Sequence, residues 1–206
     1  MLCVCFDLDG TLLLSNIIKR EGFLRAARKY PEGERLMVEI LLAPPGDRTA
    51  IFSRFGGLVG AGSTVPTLIE EYSRWCEQEM LCCPKRRGAD VLLAALNRAG
   101  ARCYINSATP TATLLRVVDA RFPGIFLSVF GGSGLKVANL KIIAQHASVM
   151  PGDIVVLGDG VDDRDSAAHF GCRFIGVAGG SLENTGSAGL IENLALAWPD
   201  SFFKIS

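Results

Sequence analysis

The sequence predicts an α/β fold with a mostly parallel sheet, and three patterns support this prediction. An apolar run at the N-terminus stops abruptly at Asp7 and enters a tight turn, as a short buried strand does. After Gly88, helical and extended patterns alternate, which is typical of parallel strands joined by crossover helices. A later apolar run ends at another acid, Asp159. Because ligands bind beyond the carboxyl ends of parallel strands, acids at two such ends indicate a functional site.

Length, composition and charge limit the class of protein. The 206 residues are 49% hydrophobic and 20% charged, which predicts a soluble globular chain with one large domain or one domain carrying an insertion. The net charge is zero, so no overall field attracts nucleic acid, and we expect neither nucleic acid nor a membrane as a partner. The first strand begins almost at Met1 and leaves no room for a signal peptide, which predicts a cytoplasmic location. The oligomeric state, monomer or homodimer, stays open.

The cysteine pattern favours free thiols over disulfides or a zinc site. The chain has seven cysteines, with no C-x-x-C pair and no histidine near enough for zinc-ligand spacing. We therefore expect buried thiols in a reducing compartment. The vicinal pair Cys82 and Cys83 is an exception that an oxidation test would address.

The first strand leads into two acids, Asp7 and Asp9, that share one face of an extended chain. Carboxylates held close together are hard to ionise unless a cation lies between them, so this pair predicts a metal. The whole string, DLDGT after an apolar strand, resembles the first motif of the haloacid dehalogenase superfamily of phosphohydrolases. The resemblance implies that Asp7 is the nucleophile and that Asp9 is the general acid and base. It also implies that Thr11 positions Asp9 in a phosphate-binding turn.

The segment from residue 15 to residue 85 interrupts the α/β alternation with helical patterns. Apolar faces over 17–27 and 36–41 predict two helices, and the i, i+3, i+4, i+7 spacing over 65–76 predicts a third. Acids and bases are nearly balanced, so we do not expect a polyanion-binding surface. In the family that the chain resembles, an insertion at this place is a helical cap that closes over the active site and contacts the substrate.

Two features inside this insertion need interpretation. Arg48 and Arg54 could bind an anionic substrate, since guanidinium groups match phosphate and carboxylate geometry, or they could be solvated helix charges. Four glycines lack the preceding strand and the spacing of a dinucleotide fingerprint, and we expect a loop or hinge there. These are Gly56, Gly57, Gly60 and Gly62.

Beyond the insertion the chain resumes the alternation. A helix over 89–100 is followed by a strand over 101–106, and Ser107 then stands at the carboxyl end of that strand. The string INSATP resembles the second family motif. The resemblance implies that the hydroxyl of Ser107 and the backbone N–H of Ala108 bind phosphoryl oxygens. Pro110 opens the next helix.

A short strand over 126–130 leads through a glycine-rich turn to a candidate cation. Phosphoryl transfer needs a fixed positive charge, and Lys136 and Lys141 both offer one. They are five residues apart on a helix, so they point in well-separated directions and only one can face the site. We choose Lys136 because it lies at the helix start and because its distance from the later GDG matches the third family motif. The family often has a proline next, where this chain has Val137.

The last motif, DIVVLGDGVDDRD, resembles the acidic fourth motif of the family. Mg²⁺ takes oxygen ligands in near-octahedral geometry and uses one or two carboxylates together with substrate phosphate and water. The resemblance implies a Mg²⁺ site formed by Asp7, the backbone carbonyl of Asp9, Asp159 as a direct ligand and Asp163 as the second acid. Asp162 is the competitor for that second role.

Four motifs in family order predict a doubly wound, mostly parallel, Rossmann-like core over 1–14 and 86–206, with an α-helical cap over 15–85. The implied function is Mg²⁺-dependent hydrolysis of a phosphomonoester, a small phosphorylated metabolite, through an aspartyl phosphate on Asp7. Asp9 would protonate the leaving oxygen and then activate the attacking water.

Other functions stay open at the level of sequence. A phosphomutase of the β-phosphoglucomutase type uses the same acids, but the insertion has no dense group of His, Asn and Lys suited to gripping a sugar in two orientations. A dehalogenase needs neither Asp9 nor a metal, and a phospho-accepting receiver domain needs no helical insertion. No single residue excludes a catalytically silent relative, although every expected catalytic position is filled. His146 and His169 fall on predicted helices without a nucleophile partner, so a histidine mechanism is unsupported.

Overall fold

The chain folds into helices and parallel strands, and none of the described helices is long and apolar enough to cross a membrane. The computed structural model describes residues 2–42, 46–132, 134–187 and 189–197. In chain order the elements are β1 (Cys3–Phe6), α1 (Asn16–Ala27), α2 (Gly33–Leu42), α3 (Arg48–Leu58), α4 (Val65–Met80), α5 (Ala89–Arg98), β2 (Arg102–Ser107), α6 (Thr111–Arg121), β3 (Ser128–Gly131), α7 (Lys136–Ala147), β4 (Ile154–Gly158), α8 (Val161–Phe170) and β5 (Arg173–Gly176).

These elements divide into two compact units. The core unit consists of the residues up to Leu14 together with those from Cys83 onward. The helical unit runs from Ser15 to Cys82 and contains α1 to α4. The sequence predicts this second boundary after residue 85, and here it follows Cys82.

The core unit is built on a parallel sheet which, within the described residues, has five strands in the order β3-β2-β1-β4-β5. From β1 the chain winds outward through β2 and β3, then crosses back to β4 and β5 on the other side. Doubly wound sheets bind ligands at such a reversal, beyond the carboxyl ends of the strands. The predicted doubly wound, parallel fold is confirmed.

The two central strands that matter for the site, β1 and β4, are buried along their whole length. This burial explains why both are continuous apolar runs in the sequence and show no alternation. Part of the surrounding core consists of Tyr104 on β2, Leu140 and Ile143 on α7, and Ala167 on α8. Close packing of this kind holds the strand ends, and the residues that follow them, in fixed positions.

The helical unit packs α1 to α4 around an apolar cluster of its own. The rings of Phe23 and Tyr72 stack with their centroids 4.3 Å apart, and the Phe52 ring lies 5.2 Å from that of Phe23. Aromatic side chains bury large apolar areas, so this cluster stabilises the four helices as one body. The three helices predicted from apolar periodicity correspond to α1, α2 and α4.

The glycine-rich segment requires a correction, because the loop or hinge expected there is in part a helix. Gly56 and Gly57 lie inside α3, and only Gly60 and Gly62 follow its end. Gly56 lies so close to Val65 that an added Cβ would be 2.6 Å from a methyl group of that side chain. The glycine therefore permits close packing within the helical unit, and this packing outweighs the low helix propensity of glycine.

All seven cysteines are free thiols, as expected. Cys82 is exposed, whereas its neighbour Cys83 is buried. Burial raises the pKa of Cys3 to about 11 and that of Cys103 to about 12. Both thiols are therefore protonated and poorly reactive at neutral pH.

Candidate active site

The candidate site lies at the carboxyl edge of the sheet, where three neighbouring strands end in polar residues. Asp7 follows β1 directly, Asp159 follows β4, and Ser107 is the last residue of β2. The strands β2 and β4 pair with β1 on its two sides. Since all three run parallel, their carboxyl ends meet at one edge, and the sequence motifs converge there.

Three buried carboxylates form a group that could hold a metal ion. Asp7, Asp159 and Asp163 each offer an oxygen atom, and these oxygens lie within 4.8 Å of one another. Asp163 is placed by the first turn of α8, where its Oδ2 accepts a hydrogen bond from the backbone N–H of Gly160 at 3.1 Å. A Cβ at position 158 would lie 2.3 Å from Cγ of Asp163, so Gly158 leaves the space that this carboxylate occupies.

The structure distinguishes Asp163 from Asp162, the two candidates for the second acid of the fourth motif. The side chain of Asp163 is 3% exposed and belongs to the carboxylate group, whereas that of Asp162 is 62% exposed. Helix α8 points them in different directions because adjacent helical residues are about 100° apart. The structure thus brings Asp163, and not Asp162, together with Asp7 and Asp159.

Lys136, the first residue of α7, supplies a buried positive charge to this group. Its Nζ lies 3.3 Å from Oδ1 of Asp7, 2.5 Å from Oδ1 of Asp163 and 3.1 Å from Oδ2 of Asp162. Lys141, the other candidate, is exposed. Of the two lysines, the structure brings Lys136 to the carboxylate group.

Burial and mutual repulsion control the protonation of the group. Burial raises the pKa of Asp7 well above its usual range, and neighbouring Asp163 and Asp159 add to the rise while Lys136 opposes it. Burial likewise raises the pKa of Asp163 to about 7, again against the effect of Lys136. For Lys136, burial alone would lower the pKa, but the surrounding carboxylates outweigh it and raise the pKa well above its usual range. The three groups are thus electrostatically coupled.

Asp9 has a different environment from Asp7, because hydroxyl groups surround its carboxylate. Oδ2 of Asp9 accepts a hydrogen bond from Thr109 Oγ1 at 2.7 Å and another from Ser107 Oγ at 3.3 Å. The backbone N–H of Thr109 in turn donates to Ser107 Oγ at 3.2 Å. Ala108 lies in the bend between the two hydroxyl residues. The end of β2 is thereby tied to the turn that follows β1.

Thr11 contacts a different acid from the one expected. The family resemblance implies that Thr11 positions Asp9, but its hydroxyl donates to Oδ1 of Asp159 at a long 3.5 Å. The reason is the tight turn at Gly10, whose φ of 80° is favourable for glycine, after which the chain folds back. Thr11 therefore bridges the turn after β1 to the end of β4.

Comparison with known protein families identifies the family of the chain. A sequence model of the haloacid dehalogenase-like hydrolases matches residues 1–171. The chain belongs to this family. Among curated proteins, none matches it.

Solved structures resemble this haloacid dehalogenase-like hydrolase in fold. A predicted phosphoglycolate phosphatase from Haemophilus somnus 129PT is 18% identical, with a TM-score of 0.75 and coverage of 94% of each chain. CbbY from Rhodobacter sphaeroides, in complex with phosphate, is 20% identical, with a TM-score of 0.75 and coverage of 95% of this chain and 96% of CbbY. A Thermotoga maritima protein provisionally named β-phosphoglucomutase is 19% identical, with a TM-score of 0.74 and coverage of 96% and 98%. At these identities the likeness concerns the fold alone.

Three buried polar residues near the site of this hydrolase were missed by the sequence analysis. Thr109 could have been found, because it is a second hydroxyl residue just before the helix-opening Pro110. Asn106 and Asn139 gave no such signal. Nδ2 of Asn139 donates to Oδ1 of Asn106 at 2.9 Å, and Nδ2 of Asn106 donates to the carbonyl of Lys136 at 2.9 Å. This chain of hydrogen bonds ties β2 to the start of α7.

The remaining candidates lie outside the carboxylate group. Within the helical unit, Arg48 Nη1 donates to Ser73 Oγ at 3.2 Å, and Arg54 is exposed. In the core unit of the hydrolase, Nδ1 of His146 pairs with the Tyr104 hydroxyl at 2.9 Å. No structural observation assigns the two arginines to a substrate, so their role stays a prediction.

Proposed function

We propose that this hydrolase cleaves a small phosphomonoester in a Mg²⁺-dependent reaction that passes through an aspartyl phosphate on Asp7. The observation that carries the proposal is the environment of Asp7. Its buried carboxylate lies at a strand end beside the Lys136 ammonium and within the group that contains Asp159 and Asp163. A nucleophile, a fixed cation and a candidate metal site are therefore adjacent, which is what phosphoryl transfer requires.

The residues present fit a hard divalent cation. Asp7, Asp159 and Asp163 offer only carboxylate oxygens, the ligand type that Mg²⁺ prefers. When ionised, these three carboxylates and the Lys136 ammonium leave two negative charges in a buried space, and a divalent ion would balance them. Burial raises the pKa of Asp7, and the charges of Asp163 and Asp159 add to the rise, so a bound divalent ion would favour the ionised carboxylate. When bound, Mg²⁺ would offset the charge on the phosphoryl oxygens during transfer.

Each remaining step of the proposed reaction is assigned to a residue of the chain. Asp7 attacks the phosphorus atom, and a new bond to its carboxylate oxygen forms as the bond to the ester oxygen breaks. Lys136 offsets negative charge on the nucleophile and on the phosphoryl oxygens. Asp9 gives a proton to the leaving oxygen and later takes one from the water that hydrolyses the acyl phosphate. Ser107, Thr11 and the backbone at Ala108 lie at the same sheet edge and are proposed to contact the phosphoryl group.

The helical unit is proposed to act as the cap that selects the substrate. It is inserted between the first and second motifs, and it carries Arg48 and Arg54 next to the apolar face of α3. An arginine can bind a phosphate or carboxylate group in a fork geometry, which suits a small anionic metabolite.

The seven free thiols fit a reducing compartment such as the cytoplasm.

Phosphate release from a panel of substrates tests the proposal. Purified protein is incubated with phosphorylated sugars, nucleotides, amino acids and glycolytic acids, with Mg²⁺ or with excess chelator. We expect inorganic phosphate from at least one small phosphomonoester with Mg²⁺ and none with chelator. Activity that is undiminished in chelator would rule out the metal role, and no release from any substrate would contradict the proposed function.

A phosphomutase is the second candidate, since one structural neighbour is provisionally named β-phosphoglucomutase. The two functions differ in the group that attacks the aspartyl phosphate. In a hydrolase it is water, and in a mutase it is a second sugar hydroxyl. Protein supplied with β-glucose 1-phosphate and a trace of the 1,6-bisphosphate should release free phosphate if it is a hydrolase. Rapid formation of glucose 6-phosphate with little free phosphate would establish the mutase.

A further inference from the structure

Arg86 is a buried cation whose partners are backbone carbonyls. Its side chain is 8% exposed although it carries a full charge. Nε donates to the carbonyl of Gly10 at 3.0 Å, and Nη2 donates to the same carbonyl and to that of Ala178 at 2.6 Å. Nη1 adds a longer bond of 3.4 Å to the carbonyl of Glu192. Burying a charge is costly unless it is well hydrogen-bonded, so this placement indicates a specific role.

The Arg86 guanidinium thus acts as a clamp that hydrogen-bonds two separate loops. The first of these loops is the turn that carries Asp9. Two N–H groups of Arg86 converge on the carbonyl of Gly10, in the peptide group that links Gly10 to Thr11. Fixing that carbonyl fixes the plane of the Gly10–Thr11 peptide, one residue after the proposed general acid Asp9. The hydroxyl of Thr11 is the group that reaches Asp159. The guanidinium therefore acts on the two residues that flank Gly10.

The second loop held by Arg86 contains residues 178–182 and covers Asp159, and we call it the Asp159 loop. Ala178 directly precedes the pair Gly179 and Gly180. A Cβ at Gly180 would lie 2.1 Å from Oδ2 of Asp159. The backbone N–H of Leu182 also donates to the carbonyl of Asp159 at 3.1 Å. This loop thus packs directly against a carboxylate of the candidate metal group. Arg86, which is 92 residues from Ala178 in the sequence, joins this loop to the Asp9 turn.

The backbone at Arg86 is fixed as well. Its N–H donates to the carbonyl of Leu12 at 2.8 Å, and the N–H of Leu14 donates to the carbonyl of Pro84 at 2.9 Å. Leu13 and Lys85 form an antiparallel bridge between these bonds. The segment that leaves the first motif is therefore paired with the segment that carries Arg86.

We propose that Arg86 is a positioning residue that holds the Asp9 turn and the Asp159 loop at a fixed separation. The general acid then keeps a fixed position relative to the carboxylates of the candidate metal group. This inference rests on the proposed function, since it assigns Arg86 to the same reaction. Lysine cannot replace it, because one ammonium lacks the planar fork that reaches carbonyls on two loops. A displacement of about 1 Å at a catalytic group can reduce the rate by about 10²-fold, which sets the scale of the effect.

Two variants, Arg86→Lys and Arg86→Gln, test the proposal against Arg87→Gln, a matched change at the exposed neighbouring arginine. In steady-state kinetics we expect kcat to fall by about 10- to 100-fold in both Arg86 variants with KM little changed, because an interaction that aligns reacting groups acts on the chemical step. Arg87→Gln should keep the wild-type kcat. If Arg86→Gln does not fold, Arg86→Lys, which keeps the charge, carries the test.

Hydrogen exchange provides a readout that needs no activity. Peptides that cover residues 8–14 and 176–182 should exchange faster in the Arg86 variants than in Arg87→Gln, while peptides of α6 and of the helical unit should not change. Wild-type kinetics and wild-type exchange in a folded Arg86 variant would overturn the proposal, and so would a uniform rise in exchange along the chain. If the wild-type protein hydrolyses no phosphomonoester, the proposed function fails, and the exchange measurement still decides whether the clamp exists.

Discussion

Asp7 and Asp9 are two residues apart, but their side chains have different partners. Asp7 faces the Lys136 ammonium and the other carboxylates of the metal-candidate group. Asp9 accepts hydrogen bonds from the hydroxyls of Ser107 and Thr109. Two carboxylates in unlike surroundings can divide the roles of nucleophile and general acid within one site. The tight turn at Gly10, whose φ is 80°, begins directly after Asp9.

Substitution of each acid should separate the two roles. Asp7→Asn should abolish turnover, because an amide does not attack phosphorus, while circular dichroism shows an intact fold. Asp9→Asn should reduce kcat by about 10²- to 10⁴-fold, the scale of lost acid–base help. Asp165→Asn, an exposed change on α8, serves as the control and should retain the wild-type rate. Rates close to wild type in either of the first two variants would remove that residue from its assigned role.

The raised pKa of Asp163 predicts how the stability of the metal-free protein depends on pH. In the folded protein this pKa is about 7, whereas that of an unfolded Asp is about 4. Because the folded state favours the protonated form, this contribution to stability is fully present below about pH 4 and is lost as the pH rises through about 7. Asp163→Asn cannot ionise, so its free energy of unfolding should fall less steeply over that window than that of the wild type.

Urea unfolding in chelator across this pH range measures the difference. In the wild type, added Mg²⁺ should raise the stability increasingly with pH, since the ion replaces protons on the carboxylates. Asp163→Asn should show a smaller increase. Equal slopes for the two proteins in chelator would show that Asp163 does not titrate as the structure indicates.

At the scale of elements, the position of Lys136 depends on how the start of α7 is fastened to β2. Asn139 donates to Asn106, and Asn106 donates to the carbonyl of Lys136. Both asparagine side chains are buried, so removing one leaves polar atoms of the other unsatisfied. A buried unsatisfied group costs about 1–3 kcal/mol.

A double-mutant cycle tests this connection. Asn106→Leu and Asn139→Leu should each lower the free energy of unfolding by about 1–3 kcal/mol, and the double variant should cost less than the sum of the two. Both single variants should also lower kcat, because the Lys136 ammonium loses its fixed position. Lys141→Gln, an exposed change on the same helix, should alter neither quantity. Strictly additive costs would mean that the two asparagines act independently.

The elements themselves could largely be predicted from the sequence, because their signals are local. β1 and β4 are continuous apolar runs that end at acids, and these runs show where the strands stop. The partners of Thr109 and Arg86 could not be predicted, because they are 100 and 76 residues away in the chain. The helix through Gly56 was missed because the tight contact of Gly56 with Val65 exists only in the folded unit.

At the scale of the whole molecule, charge is distributed unevenly. The chain has no net charge, yet the edge of its sheet gathers Asp7, Asp159 and Asp163 around a single described lysine, Lys136. A crevice of this composition repels a phosphate ester through the carboxylates. A divalent cation would reverse that repulsion and attract the substrate. The proposed dependence on Mg²⁺ and the proposed role of Asp7 as nucleophile therefore have the same electrostatic basis.

Trapping the covalent intermediate tests this account most directly. Protein is mixed with a substrate from the phosphomonoester panel, quenched in acid within one turnover, and digested for mass spectrometry. We expect one phosphoryl group on the peptide that contains Asp7, and we expect it to be absent from Asp7→Asn and from wild-type protein treated with excess chelator. A phosphoryl group on a different residue, or an unlabelled Asp7 during rapid phosphate release, would contradict it.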